Sequence, residues 1–161
     1  MDDQMLFRPP TSHDARAMRF LARDSQVLSV NSTYFYALMA RHFSATCLVA
    51  EDAGGVCGYV IGYCPPEQPD TLFVWQVGVA KSCQGKGLGK RLLMALLKQA
   101  GPVFLEASIA PSNQASINLF RALARHFEVS HTFSEAPYFS AADLGEEEEA
   151  EHLMRLGPFS Q

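Results

Sequence analysis

The chain has 161 residues, 48% of them hydrophobic and 19% charged, with 13 basic against 17 acidic side chains and a net charge of −4. That is the length of one domain and a composition able to bury a real core. The acidic balance disfavours a general nucleic-acid binder, which would show a basic face, and no apolar run approaches the roughly 18 residues of a membrane span. Met1-Asp-Asp-Gln-Met5 is acidic and short of apolar residues, so no secretory signal is read there and the cytoplasm is the default.

Leu6-Phe-Arg8 reads as a short strand ended by Pro9-Pro10. Thr11 or Ser12 caps a helix to about Arg23, with Ala15, Met18, Leu21 and Ala22 on one face. A loop, 24–32, follows, and Asn31 or Ser32 caps a second helix from Tyr34 to about His42. Its three consecutive aromatics, Tyr34, Phe35 and Tyr36, cannot all face a core. Thr46 to Ala50 and Val56 to Tyr63 read as a hairpin turning at Asp52-Ala-Gly-Gly55, broken by Pro65, Pro66 and Pro69. Phe73 to Val79, nearly all apolar, suits a strand covered on both faces. A helix follows to about Gln99, ended by Gly101-Pro102. Val103 to Ile109 is a strand, Pro111-Ser-Asn113 opens a helix through Ile117, Leu119, Phe120, Leu123 and Ala124, and Phe127 to Phe133 is a strand. Pro137 to Ser140 reads as an aromatic loop, Leu144-Gly145 as a stop, Glu146 to Glu151 as an acidic run and His152 to Leu156 as a last strand. The order β-α-α-β-β-β-α-β-α-β-β makes an α/β protein: a single domain over 1–161 with a mixed sheet and helices on both faces.

The turn between the 73–79 strand and its helix carries the chemistry. Gln84, Gly87 and Gly89 form Q-x-x-G-x-G, and Leu88, Leu92, Leu93, Leu96 and Leu97 follow at helical spacing. Glycines let backbone N–H groups approach an anion, and the positive end of the helix dipole points at the same place. Gly85 to Lys90 is not a Walker loop, because Arg91 stands where Ser or Thr is needed, and its glycines are wrongly spaced for a dinucleotide fingerprint. Cys47, Cys57, Cys64 and Cys83 form no C-x-x-C pair and lie in or beside apolar runs, so they read as buried free thiols, except that Cys83, next to the loop, reads as exposed and modifiable or as a bystander. The five histidines show no ligand spacing either, and no metal is expected.

At every fixed position the turn resembles the pyrophosphate loop of the GNAT N-acetyltransferases, [QR]-x-x-G-x-[GA]. Asn113, Ser116, Leu119 and Phe120 partly match a second superfamily motif, N-x-x-A-x-x-L-Y. A closer resemblance spans about Leu28 to Phe159. Leu28-x-Val-Asn-Ser-x-Tyr-x-Tyr36, Pro69-Asp-Thr-x-Phe-x-Trp-Gln-Val77, Ala110-Pro-Ser-Asn-x-Ala-Ser116, Leu119-Phe120, Tyr138-Phe-Ser140 with Leu144-Gly145, and Arg155-Leu-Gly-Pro-Phe159 are similar to the L-2,4-diaminobutyrate acetyltransferases of ectoine biosynthesis. The resemblance implies the GNAT fold, a central and mostly antiparallel sheet flanked by helices. It also implies acetyl-CoA as cosubstrate, a small-molecule amine as acceptor and acetylation of the γ-amine. Dimers are common in that family.

The resemblance also implies roles. The backbone of Gln84, Gly85, Lys86, Gly87, Leu88, Gly89 and Lys90 grips the pyrophosphate; Lys86, Lys90 and Arg91 serve the phosphates or are plain surface charges. Val77 supplies the N–H that polarises the carbonyl, and Val77, Gly78 and Val79 pair with the pantetheine. Asn113 meets the pantetheine arm or is a helix N-cap. Phe120 stands where many superfamily members have a Tyr, so it has no proton to give the thiolate. Trp75 walls the amine site or is a core Trp; Tyr34, Asn31 and Ser29 fall on pocket positions. Glu151 faces the substrate and holds its ammonium or relays its proton through water, with Tyr34 a second candidate for proton transfer, or Glu151 is a solvated carboxylate. Two departures stand out: Ser29 replaces the family's Asp, and Glu148 stands where the family often has His. Glu148 is therefore expected to restore part of the pocket's negative charge. A peptide acetyltransferase and a non-catalytic acetyl-CoA binder are the competing readings.

Overall fold

The structure is a computed structural model that describes residues 4–161; the reading of the amino terminus leans on Met1 to Asp3, which lie outside the described residues. By its internal contacts the chain divides into two compact units. One comprises the described residues up to Tyr63 with Val74–Gly101, the other Cys64–Phe73 with Pro102–Gln161.

In the first unit, β1 (Leu6–Arg8), β2 (Cys47–Asp52) and β3 (Gly55–Tyr63) form an antiparallel meander, with Arg8 opposite Val49 and Leu48 opposite Val60. Thr11 and Asp14 close a capping box on a short 3₁₀ turn, which runs into α1 (Ala15–Ser25). Helix α1 buries the expected face, Ala15, Met18, Leu21 and Ala22. Each large side chain there contributes about 1.5–3 kcal/mol by leaving water. Ser32 caps α2 (Thr33–His42) by accepting from the Phe35 N–H at 3.1 Å. The three aromatics divide as helical geometry demands: Tyr36 is buried, Phe35 half-buried and Tyr34 exposed. One core joins Met18, Leu21 and Ala22 to Tyr36, Met39, Val49, Tyr59 and Ile61. Arg8 clamps both oxygens of Asp14 at 2.9 Å and reaches Glu51 at 3.0 Å.

The strand β4 (Thr71–Val79) runs through both units, and after it α3 (Leu88–Ala100) buries Leu88, Leu92, Leu93, Leu96 and Leu97, ending on Gly101 at φ +60°. In the second unit β4 pairs in parallel with β5 (Phe104–Ile109), with Leu72 opposite Leu105. Asn113 caps α4 (Gln114–Phe127); then come β6 (His131–Phe139), the short α5 (Ala141–Leu144) and β7 (Glu151–Leu156). Strand β7 lies between β5 and β6, antiparallel to both. The hydrogen-bonded order is β1-β2-β3-β4-β5-β7-β6, the mixed sheet read from the sequence.

Four expectations are corrected. The strand placed at Phe127 to Phe133 begins at His131, because α4 continues through Phe127 and stops on Glu128 in the left-handed region. Pro137 to Phe139 belong to that strand and are not a loop; β6 is an edge strand with register shifts around Pro137, where a missing N–H is tolerated. The 73–79 strand is not covered on both faces: Leu72, Val74, Gln76 and Gly78 are buried, whereas Trp75 is exposed. Of the thiols only Cys47 and Cys57 are buried; Cys64 is exposed and Cys83 partly so. Burial pushes the Cys47 thiol up to about 11, which leaves it protonated and inert.

Candidate active site

In the carboxyl half of β4 the even-numbered residues are buried, whereas Trp75 is exposed and Val77 and Val79 are half-buried. Gln76 is buried, and its Oε1 accepts from the Tyr59 hydroxyl at 2.6 Å and the Tyr36 hydroxyl at 3.0 Å. Burial, with Tyr36 alongside, pushes the Tyr59 phenol far above its ordinary range, so it is a permanent donor. The Gln76 Nε2 donates to the Ser29 carbonyl at 2.8 Å and ties the loop before α2 to β4. Gly78 is required: a Cβ there would lie 2.3 Å from the Tyr59 ring.

On the other face, Trp75 is 47% exposed, and its ring centroid lies 4.6 Å from that of Phe35. It is not a core tryptophan. Tyr34, expected at the pocket, is 72% exposed and free of the core. Ser29 is exposed and is held through its backbone. Asn31 accepts from Arg19 Nε at 3.1 Å through its carbonyl, while its side-chain Nδ2 is shielded from solvent with no partner among the described residues. An unsatisfied buried donor is costly to keep, and a ligand acceptor would relieve it. Val77 and Val79 are half-buried on the Trp75 face.

After β4 the chain turns through Lys81–Cys83, and Gln84 donates from Nε2 to the Val79 carbonyl at 3.4 Å. Gln84 thus folds the loop back on the strand end. Gly85 and Gly87 both take positive φ, +78° and +75°. Gly87 is the N-cap of α3 and offers no side chain, whereas Ser32, Asn113 and Ser140 cap α2, α4 and α5 with theirs. The first amides of α3, from Leu88, Gly89 and Lys90, are therefore left for an outside acceptor. The Leu88 side chain is buried, so only its backbone belongs to the loop; Lys86 is exposed and Lys90 half-exposed. Arg91 lies over the Phe7 ring at 5.1 Å, which draws it to β1. An uncapped helix start reached through two left-handed glycines fits a diphosphate.

The second unit holds the remaining expected residues. The Asn113 Oδ1 accepts from the Ser116 N–H at 3.2 Å, so the cap reading is realised. Phe120 is only 3% exposed, one of the buried residues of α4 with Ile117 and Leu123. Glu151 is half-buried and accepts from Ser108 Oγ at 2.7 Å. Glu148 is exposed, its N–H donating to the Gly145 carbonyl at 2.8 Å. Its neighbour Glu149, not singled out from the sequence, takes the Ser112 N–H at 3.1 Å and the Ser112 hydroxyl. Those bonds hold its carboxyl below the usual range.

Residues 13–124 match the profile of the acetyltransferase (GNAT) family. The L-2,4-diaminobutyric acid acetyltransferase of Marinococcus halophilus is 43% identical, covering 99% of this chain and 93% of its own. That of Nocardia farcinica is 42% identical over 97% and 81%. A diaminobutyrate acetyltransferase from Paenibacillus lautus, solved with its substrate L-2,4-diaminobutyric acid and coenzyme A, superposes with a TM-score of 0.90 at 34% identity, covering 98% of this chain and 96% of that one. The chain belongs to the GNAT acetyltransferase family, in the branch of these diaminobutyrate acetyltransferases.

Proposed function

We propose that this chain transfers the acetyl group of acetyl-CoA to the γ-amine of L-2,4-diaminobutyrate, an acetylation step of ectoine biosynthesis. The observation that carries the reading is the full-length likeness to the Paenibacillus lautus enzyme, whose structure holds that amino acid and coenzyme A. The uncapped start of α3 agrees with it. In this reading the amides from Gln84 to Lys90 take the pyrophosphate. Val77, Gly78 and Val79 run along the pantetheine with Asn113 and Phe120, and the Val77 N–H polarises the thioester carbonyl. Trp75, Tyr34, Asn31, Ser29, Glu148 and Glu151 take part in recognising the amino acid. Glu151 takes the ammonium proton, through water or with Tyr34. The free amine then attacks the carbonyl carbon, the C–S bond breaks, and the thiolate recovers a proton from the ammonium formed by attack, from water or from Tyr34. Phe120 has no part in that last transfer.

A second reading, a different small diamine or amino acid as acceptor, rests on Ser29, which lacks the carboxylate expected to meet an ammonium. In this reading residues 1–161 are a single GNAT acetyltransferase domain, and the protein works as a cytoplasmic homodimer that binds neither nucleic acid nor membrane. In support, the net charge is −4, and no helix among the described residues is long and apolar enough to cross a membrane. Incubation with acetyl-CoA and a panel of diamines, amino acids and peptides, read by thiol release, tests the activity. Release with diaminobutyrate above all others is expected. Coenzyme A binding with no release for any acceptor would leave only a binder. Sedimentation tests the dimer.

A further inference from the structure

Asp52, Cys57 and Cys83 are separated along the chain, yet one carboxylate oxygen and the two Sγ atoms all lie within 4.8 Å of one another. Three local arrangements put them there. Asp52 ends β2 opposite Gly55, and its Oδ1 is fixed by the Gly54 N–H at 2.8 Å. Cys57 sits on β3 with its carbonyl accepting the Ala80 N–H at 2.8 Å. Ala80 in turn accepts the Cys83 N–H at 2.8 Å, so the turn after β4 hangs on β3 beside Cys57. A fourth soft donor, the Met5 thioether, lies 3.5 Å from the Cys57 Sγ.

With metal–sulfur bonds of about 2.3 Å, the ligands of a tetrahedral zinc stand roughly 3.5–4 Å apart; the three donor atoms, all within 4.8 Å of one another, reach that spacing by drawing in by about an ångström at most. Two thiolates and a carboxylate suit a borderline-soft divalent cation and discriminate against magnesium and calcium. We propose that Asp52, Cys57 and Cys83 form a binding site for a thiophilic divalent cation of the zinc class, with Met5 on its flank and the fourth position open. Binding releases the thiol protons to solvent and forms two metal–sulfur bonds and one metal–oxygen bond, with no change of oxidation state. The ion takes no part in acetyl transfer. It ties the residue that precedes Gln84 to the β2–β3 hairpin, so it fastens the beginning of the glycine-rich loop.

The test uses untagged, reduced, chelator-stripped full-length protein titrated with Co(II), then with competing Zn(II). The expected result is a thiolate-to-cobalt charge-transfer band with tetrahedral d–d bands, saturating at one equivalent, and a Tm that rises with Zn(II). Cys83→Ala should weaken Zn(II) binding beyond the roughly 10–100-fold typical of a lost outer-sphere partner and cut the band at saturation to half or less. Cys57→Ala should do the same, but Cys57 is buried, so the partly exposed Cys83 is the safer variant for folding. Absence of the band in the parent protein, or a Cys83→Ala protein that titrates like the parent, overturns the proposal.

Discussion

The side-chain amide of Gln76 donates to the backbone carbonyl of Ser29 at 2.8 Å, and so the middle of β4 sets the position of the loop before α2. The same amide's oxygen receives two buried phenols. Gln76→Leu would leave both hydroxyls without an acceptor and free the loop. An unsatisfied buried polar group costs about 1–3 kcal/mol, so a stability loss of about 2–4 kcal/mol is expected in urea unfolding. The KM for the amine should rise with it, while coenzyme A affinity changes little.

Gly87 caps α3 at φ +75°, a conformation that costs a residue with a Cβ about 1–2 kcal/mol. Gly87→Ala has open space around it, so the penalty is purely one of backbone conformation. The substituted loop escapes the strain when free and must resume it to bind. Calorimetric titration should show acetyl-CoA affinity reduced by about 5- to 30-fold, at little cost to Tm.

Burial pushes the Asp14 carboxyl up, but the Arg8 guanidinium and the Thr11 N–H together outweigh it and hold the group below its ordinary value. A lowered folded-state pKa contributes stability that is complete above the normal carboxylate value and disappears as pH falls through the lowered one. Asp14→Asn keeps the cap and loses the ion pair. It should be about 1–2 kcal/mol less stable than the parent at pH 7, with the gap closing in a denaturation series as pH falls through the lowered Asp14 value.

If Glu148 supplies the charge that Ser29 lacks, Glu148→Gln should raise the KM for diaminobutyrate about two- to fivefold, the worth of a solvated ion pair. Ser29→Asp should lower it by a similar factor. An unchanged KM in both variants would remove the compensation idea. Glu149→Gln is the control, because Glu149 is occupied with Ser112.

Elements were legible where local chemistry and long-range packing agree. Helix α3 announced itself through five leucines at helical spacing between Gly87 and Gly101, and all five are buried. The end of α4 is not legible in the sequence, because the left-handed stop falls on Glu128, a residue that gives no signal of one. Strand β6 was hidden by Pro137, which only an edge position accommodates, and the edge is a property of the whole sheet. In the site, the glycine-rich turn and Trp75 stood out by composition. The role of Gln76 could not, since its partners are 40, 17 and 47 residues away. The grouping of Asp52, Cys57 and Cys83 was invisible for the same reason: metal-ligand spacing along a chain is only one way to gather donors in space.

Trp75 is the chain's single tryptophan, half-open to solvent against Phe35. Its emission under long-wavelength excitation therefore reports from one address. Arrival of an amino acid beside the indole would change the colour and brightness of that light, so occupancy could be followed in real time without attaching any dye.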